Sequence, residues 1–172
     1  MLCENCKVYI VDTDSFQLEG YPCPVGQPLF TAPEIQKKEF KSFMRTIKTE
    51  NFSIATMLFM ILMPGKPPYS QQEGGMMTEN ILKGKFSYPF KDEQGLNAPK
   101  GPWRFMWSNL PHDTKKLFVE VFSEKKRIGV EECGNIMQKY LYELKQGFHN
   151  NEIKPSGYKH ISNERKALYD LD

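Results

Sequence analysis

The stretch "ENFSIATMLFMILMPG", residues 50–65, decides what kind of fold this chain can have. From Ile54 to Met63 only Thr56 is polar. The run is about half of the roughly 20 apolar residues needed to cross a bilayer, so no membrane span is expected. A helix this short and apolar on all sides belongs in a protein interior. Thr49 or Asn51 is placed to cap it, Glu50 suits its first turn, and Pro64-Gly65 stops it.

On the C-terminal side, "GKPPYSQQEGG" is a turn-rich connection and "MTENILKGKFSYPF" predicts a short helix ending near Gly84. The stretch from Lys91 to Trp107 has little periodicity and is expected to be a surface loop pinned by Trp103 and Trp107. Two amphipathic helices follow. In "HDTKKLFVEVF", Leu117, Phe118, Val121 and Phe122 share a face. In "VEECGNIMQKYLYELKQG", Cys133, Ile136, Met137, Tyr140, Leu141 and Leu144 form a helical stripe that Gly147 ends. Residues 148–172 read as a loose polar tail, with room for a short helix around Glu164 to Tyr169.

On the N-terminal side, "VYIVDTDSF", residues 8–16, starts as a strand at Val8 to Val11 and then sets Asp12 and Asp14 around a threonine. Aspartate is a poor strand residue, so both carboxylates belong at a strand end, as turn formers or as groups that meet a ligand. "LEGYPCPVGQPLFTAPEI", residues 18–35, holds four prolines and two glycines, which argues against any regular element and for a long ordered loop. From Pro33, "PEIQKKEF" predicts a short helix with Glu34 near its positive end.

A chain of 172 residues is enough for one domain with a real core. A formal charge of +2 points to neither a nucleic-acid groove nor a membrane-binding face. Cys3 and Cys6 make a C-x-x-C pair with no second pair, and no His precedes His112, so a four-ligand zinc site lacks its usual spacing. Without a signal-like N-terminal segment, a reduced, cytoplasmic protein is the expectation. The stripe accounts for Cys133 better than a redox role does.

Taken in order, a strand ending in Asp12, a long loop ending in Ala32-Pro33-Glu34, an apolar helix, a "GKPPY" turn and two amphipathic helices separated by an Arg resemble the C-terminal lobe of the eukaryotic-type Ser/Thr protein kinases. "VYIVDTDSF" stands in the D-F-G place, "VGQPLFTAPE" resembles G-T-P-x-[YF]-x-A-P-E, and "ENFSIATMLFMILMPGKPPY" resembles D-x-W-S-x-G…G-x-x-P-[FY]. A bacterial kinase-like branch carrying D-T-D-S-F-Q is similar at the first of these. The resemblance implies a mainly α fold over residues 1–147: a helical bundle with a short N-terminal β-hairpin and no N-terminal lobe.

It also implies roles. Asp12 would hold the magnesium ion that bridges nucleotide phosphates, with Asp14 a second ligand or, preferred, a turn residue. Glu34 would pair with Arg127 and tie the loop to the helices; otherwise Arg127 is a solvated member of a basic turn with Lys125 and Lys126. Tyr21, Gln27, Phe30 and Thr31 would belong to the activation segment, a loop that contacts protein partners.

Departures from the family pattern limit the function. The 11 residues before Asp12 contain no His, Arg or Gly, and no Gly-rich phosphate motif occurs anywhere in the 172 residues. Gln27 replaces a threonine and Glu50 an aspartate, and Tyr21 is the sole hydroxyl between Gln17 and Val25. The family uses Mg2+ and ATP, but this chain alone is expected to bind neither tightly and to be catalytically incompetent. Three readings follow: the C-terminal piece of a kinase-like protein whose enzymatic half is missing or supplied by another chain; a pseudokinase-type module docking a protein; and, well below these, a metal or redox protein built on Cys3 and Cys6. An exposed apolar lobe face, with self-association through it, is a further expectation.

Overall fold

Thr46, rather than Thr49 or Asn51, opens the central helix. In the computed structural model, which describes residues 2–4, 7–9, 16–71, 74–90 and 97–149, the fold is mainly helical. The Thr46 hydroxyl accepts from the backbone N–H of Thr49 at 3.4 Å, and the Thr46 N–H donates to the Thr49 hydroxyl at 3.1 Å. This reciprocal cap starts helix α1 at Ile47, three residues before Glu50, and α1 runs to Leu62.

Four more helices follow: α2 at Met77–Lys83, α3 at Trp103–Asn109, α4 at His112–Phe122 and α5 at Val130–Lys145. Gly84 ends α2 in the left-handed conformation that a glycine adopts without Cβ strain. Two short strands, β1 (Leu2–Glu4) and β2 (Lys7–Tyr9), pair antiparallel with Leu2 opposite Tyr9. The strand thus begins one residue earlier than Val8, while Ile10 and Val11 lie outside the described residues, as do residues 150–172.

The core is aromatic. Phe52, Ala55, Phe59 and Met63 of α1 are buried against Leu117, Phe118, Val121 and Phe122 of α4 and Cys133 of α5. Phe59 is its hub, with ring centroids of Phe118, Tyr88, Phe122 and Phe86 at 5.1, 5.4, 5.7 and 5.8 Å, all steeply tilted. Edge-to-face contacts place the positive ring edge on the negative face of the next ring. The buried Thr56 hydroxyl donates to the Phe52 carbonyl at 2.9 Å, so the one polar residue in the apolar run is satisfied within the helix.

Several expectations need correction. Residues 103–109 are helical rather than loop. Trp103, Met106 and Trp107 at i, i+3 and i+4 turn one face inward, and the two indoles donate to the carbonyls of Pro64 and Pro89 at 2.9 and 2.7 Å. The proline-rich loop is not wholly irregular: it holds 3-10 turns at Pro28–Phe30 and Pro33–Ile35, each started by proline. The stripe of α5 packs inward only over its first part, since Leu141 is exposed. Finally, α1 is not buried on all sides: Met57 and Ile61 face solvent. No helix among the described residues is long and apolar enough to cross a membrane.

Candidate functional site

The loop from Phe16 to Arg45 lies along the start of α1 and is fastened to it by side chains. Thr31 is buried, and its hydroxyl donates to the Gln27 carbonyl at 2.8 Å, closing the first 3-10 turn. The Gln36 amide donates to the carbonyls of Pro28 and Thr31, both at 2.7 Å. Ser53 of α1 donates to the Phe30 carbonyl at 2.7 Å. Each of these bonds satisfies a loop carbonyl that has no ladder partner.

Glu34 sits in the first turn of the second 3-10 turn, with Ile35 buried beside it. Its carboxylate receives two bonds from Arg127: Nε to Oε1 at 2.9 Å and Nη2 to Oε2 at 2.5 Å. Arg127 Nη1 donates to the carbonyls of Lys125 and Lys126, both at 3.1 Å, and the guanidinium lies 5.4 Å from the Phe52 ring centroid. The planar five-donor fork of arginine makes all of these contacts at once, which a lysine cannot do. Partial burial acts to raise the Glu34 pKa, but the hydrogen bonds and charge of Arg127 outweigh it and hold the carboxyl below the usual value.

Beside this joint, Tyr69 of the "GKPPY" turn is buried and donates to the Phe122 carbonyl at 2.9 Å. Burial pushes its phenol far above the ordinary range, so it stays a neutral donor.

A second clamp holds the front of the loop. The Gln17 side chain acts like a strand neighbour toward Arg45, accepting from its N–H at 2.7 Å and donating to its carbonyl at 2.9 Å. The Arg45 guanidinium lies 4.5 Å from the Phe40 ring centroid and donates to the Val25 carbonyl. Its Nε is buried without a hydrogen-bond partner among the described residues. Phe16, Gln17, Cys23, Arg45 and Glu50 line an open pocket of about 350 Å3 here.

The structure brings Glu34 and Arg127 together, and it places Gln27, Phe30 and Thr31 on the same fastened stretch. Tyr21 stands apart, exposed in a tight turn where its backbone pairs with Leu18 at 2.9 and 3.1 Å. Asp12, Asp14 and Cys6 lie outside the described residues. Cys3 is in β1, Cys23 is a buried free thiol, and Cys133 is a buried thiol whose pKa is pushed up by burial and by the nearby Glu132, which makes it a poor nucleophile. Among the described residues no three acid, His or Cys side chains converge to hold a metal ion. The Gln17–Arg45 clamp has no signal in the sequence, because a glutamine matched to a backbone 28 residues away follows no spacing rule.

The chain is similar to protein kinase YegI of Escherichia coli strain K12 and of Escherichia coli O157:H7. Each is 32% identical to it in a match 135 residues long that covers 72% of this chain and 20% and 21% of the respective relative. The chain thus spans about a fifth of the length of the curated relatives it matches. No protein-family model matches, and no solved structure matches. Together the two relatives support a kinase-like protein.

Proposed function

We propose that this chain is the C-terminal lobe portion of a bacterial, cytoplasmic protein-kinase-like protein, and that these 172 residues alone do not catalyse phosphoryl transfer. One observation carries the reading. The acid that ends Ala32-Pro33-Glu34 is held in a two-bond grip by an arginine between the last two helices, and that joint ties the proline-rich loop to the helices, as the resemblance implies for an activation segment. The likeness to protein kinase YegI supports a kinase-like protein; ATP-dependent phosphorylation of protein Ser/Thr is the activity that the motif resemblance implies for the family.

The donor set explains the incompetence. A hard cation such as Mg2+ takes several oxygen ligands, and the described residues around the pocket offer one carboxylate, Glu50. Asp12 remains the proposed metal-binding residue and Asp14 a turn residue, but the described residues do not fit a magnesium nucleotide. Transition-state charge in phosphoryl transfer is neutralised by several positioned groups acting together, and one or two carboxylates do not replace them. A second reading, a non-catalytic module docking a protein on the loop, is favoured by the exposure of Leu18, Tyr21 and Val25.

Calorimetric titration of the 172-residue chain with Mg·ATP tests the primary reading. The expected result is no binding tighter than about millimolar, because most of the phosphate cradle is missing. A magnesium-dependent isotherm in the micromolar range would overturn the incompetence.

A further inference from the structure

The segment that joins the proline-rich loop to α1 concentrates positive charge that the whole-chain value hides. Residues 37–48, "KKEFKSFMRTIK", hold five cations, Lys37, Lys38, Lys41, Arg45 and Lys48, and one acid, Glu39. Their net charge is +4 while the whole chain is +2, so the other 160 residues together carry −2. The cations are gathered rather than strung out. Lys38 Nζ lies 5.6 Å from the Phe43 ring centroid, the Arg45 guanidinium lies 4.5 Å from that of Phe40, and the two rings are 6.2 Å apart. A 3-10 turn at Phe40–Ser42 folds the run between them.

This charge is not neutralised within the fold. Lys37, Lys38, Lys41 and Lys48 are exposed and form no ion pair among the described residues, and neither does Glu39. Glu34, the next acid along the chain, is taken up by Arg127. Lys48 stands in the first turn of α1, where the helix dipole opposes a cation. Helix stability therefore does not explain it, and the positive helix end adds to the same field.

The surroundings select the partner. Phe40 and Phe43 pack against the core and each has a cation over its ring, so neither offers a face for a nucleic-acid base to stack on. An anionic bilayer would meet Glu39 along with the lysines, whereas a peptide sets its carboxylates on the lysines and passes the acid by. Met44 and Ile47, exposed between Lys41 and Lys48, offer apolar contact on the same stretch. At the Arg45 end, the open pocket of about 350 Å3 has room for a side chain, and Glu50 in its wall disfavours an anionic one.

We infer that residues 37–48 bind an acidic segment of a partner protein, whose carboxylates meet Lys37, Lys38, Lys41 and Lys48 and whose one apolar side chain enters the pocket beside Arg45. Complementary charge gives such a contact its encounter rate and its choice of partner. The inference rests on this surface and is independent of nucleotide binding and of phosphoryl transfer.

Two fluorescent peptides of about 12 residues, long enough when extended to span the segment, test it. One carries Glu at alternate positions around a central Leu, and the other has Gln in place of every Glu. Fluorescence anisotropy with the 172-residue chain is expected to show the Glu peptide binding at least about tenfold tighter, a preference that fades as salt rises from about 50 to about 300 mM. Joint Lys37→Gln, Lys38→Gln, Lys41→Gln and Lys48→Gln substitutions should remove the preference, with circular dichroism confirming that the fold is kept. Joint Lys85→Gln, Lys100→Gln, Lys116→Gln and Lys145→Gln substitutions lower the net charge equally and should preserve it. Ser in place of the central Leu should weaken binding several-fold. Equal affinity for the two peptides, equal losses in the two lysine variants, or indifference to the Leu would overturn the proposal. So would tighter binding, lost in the first lysine variant, of phosphatidylserine vesicles or of a single-stranded oligonucleotide, since the partner would then be a membrane or a nucleic acid.

Discussion

Arg127 and Glu34 are 93 residues apart in sequence and are joined by two hydrogen bonds of 2.9 and 2.5 Å. The arginine side chain is 12% exposed and the glutamate 44%, so the pair stands between a solvated surface bridge and a buried one. Its position gives it leverage, because one end lies on the proline-rich loop and the other between α4 and α5.

The pair makes stability depend on pH in a defined direction. The Glu34 carboxyl has a lower pKa in the folded chain than when free, so in the window between the two values the unfolded state binds more protons. The contribution of Glu34 is therefore complete above the ordinary carboxylate range and is lost as pH falls through it toward the folded value. Urea midpoints measured from pH 6 down to about pH 3 should fall less steeply in Glu34→Gln than in the parent. Parallel slopes would mean that Glu34 is not linked to folding.

Phe59 and Ile61 lie on one helix, in the same apolar run, and should behave oppositely. Phe59 is completely buried at the centre of the ring cluster, and Phe59→Ala should cost about 3–5 kcal/mol through lost contacts and an unfilled cavity. Ile61→Ala on the solvent face should stay within about 0.5 kcal/mol. Denaturant titration of the two variants separates these outcomes, and equal losses would mean that α1 is enclosed on all sides.

Gly26 is required by close approach rather than by backbone angle. A Cβ there would lie 2.7 Å from the Phe40 ring and 2.9 Å from Arg45 Nη2, inside normal contact. Gly26→Ala should cost about 1–3 kcal/mol and loosen the loop from its clamp. Limited proteolysis between Gln17 and Val25 is expected to quicken in that variant. An unchanged cleavage rate would mean that the clamp does not hold the loop.

How much of this was legible depends on the range of each interaction. The stripe of Leu117, Phe118, Val121 and Phe122 reports helix α4 directly, because the period of an amphipathic helix is written in consecutive residues. The cap of α1 was misplaced because Thr46, Thr49 and Asn51 are all good capping types, and only the hydrogen bonds choose among them. α3 is two turns long and preceded by proline, so the spacing of Trp103, Met106 and Trp107 is a weak signal. The solvent face of α1 left no trace, because an apolar run reads the same whether or not each side is covered. Of the site, the residues from Gln27 to Glu34 and Arg127 followed from motif order. Gln17, Arg45 and Ser53 act through backbone groups that no residue pattern marks.

A double-mutant cycle is the most direct test that the loop is fastened to the helices through this joint. Glu34→Gln, Arg127→Met and the double variant are compared with the parent by urea denaturation at pH 7. A coupling of about 1–2 kcal/mol is expected, above an exposed bridge and below a fully buried one. Additive losses, with coupling near zero, would contradict the claim that these two residues hold the loop to the helices.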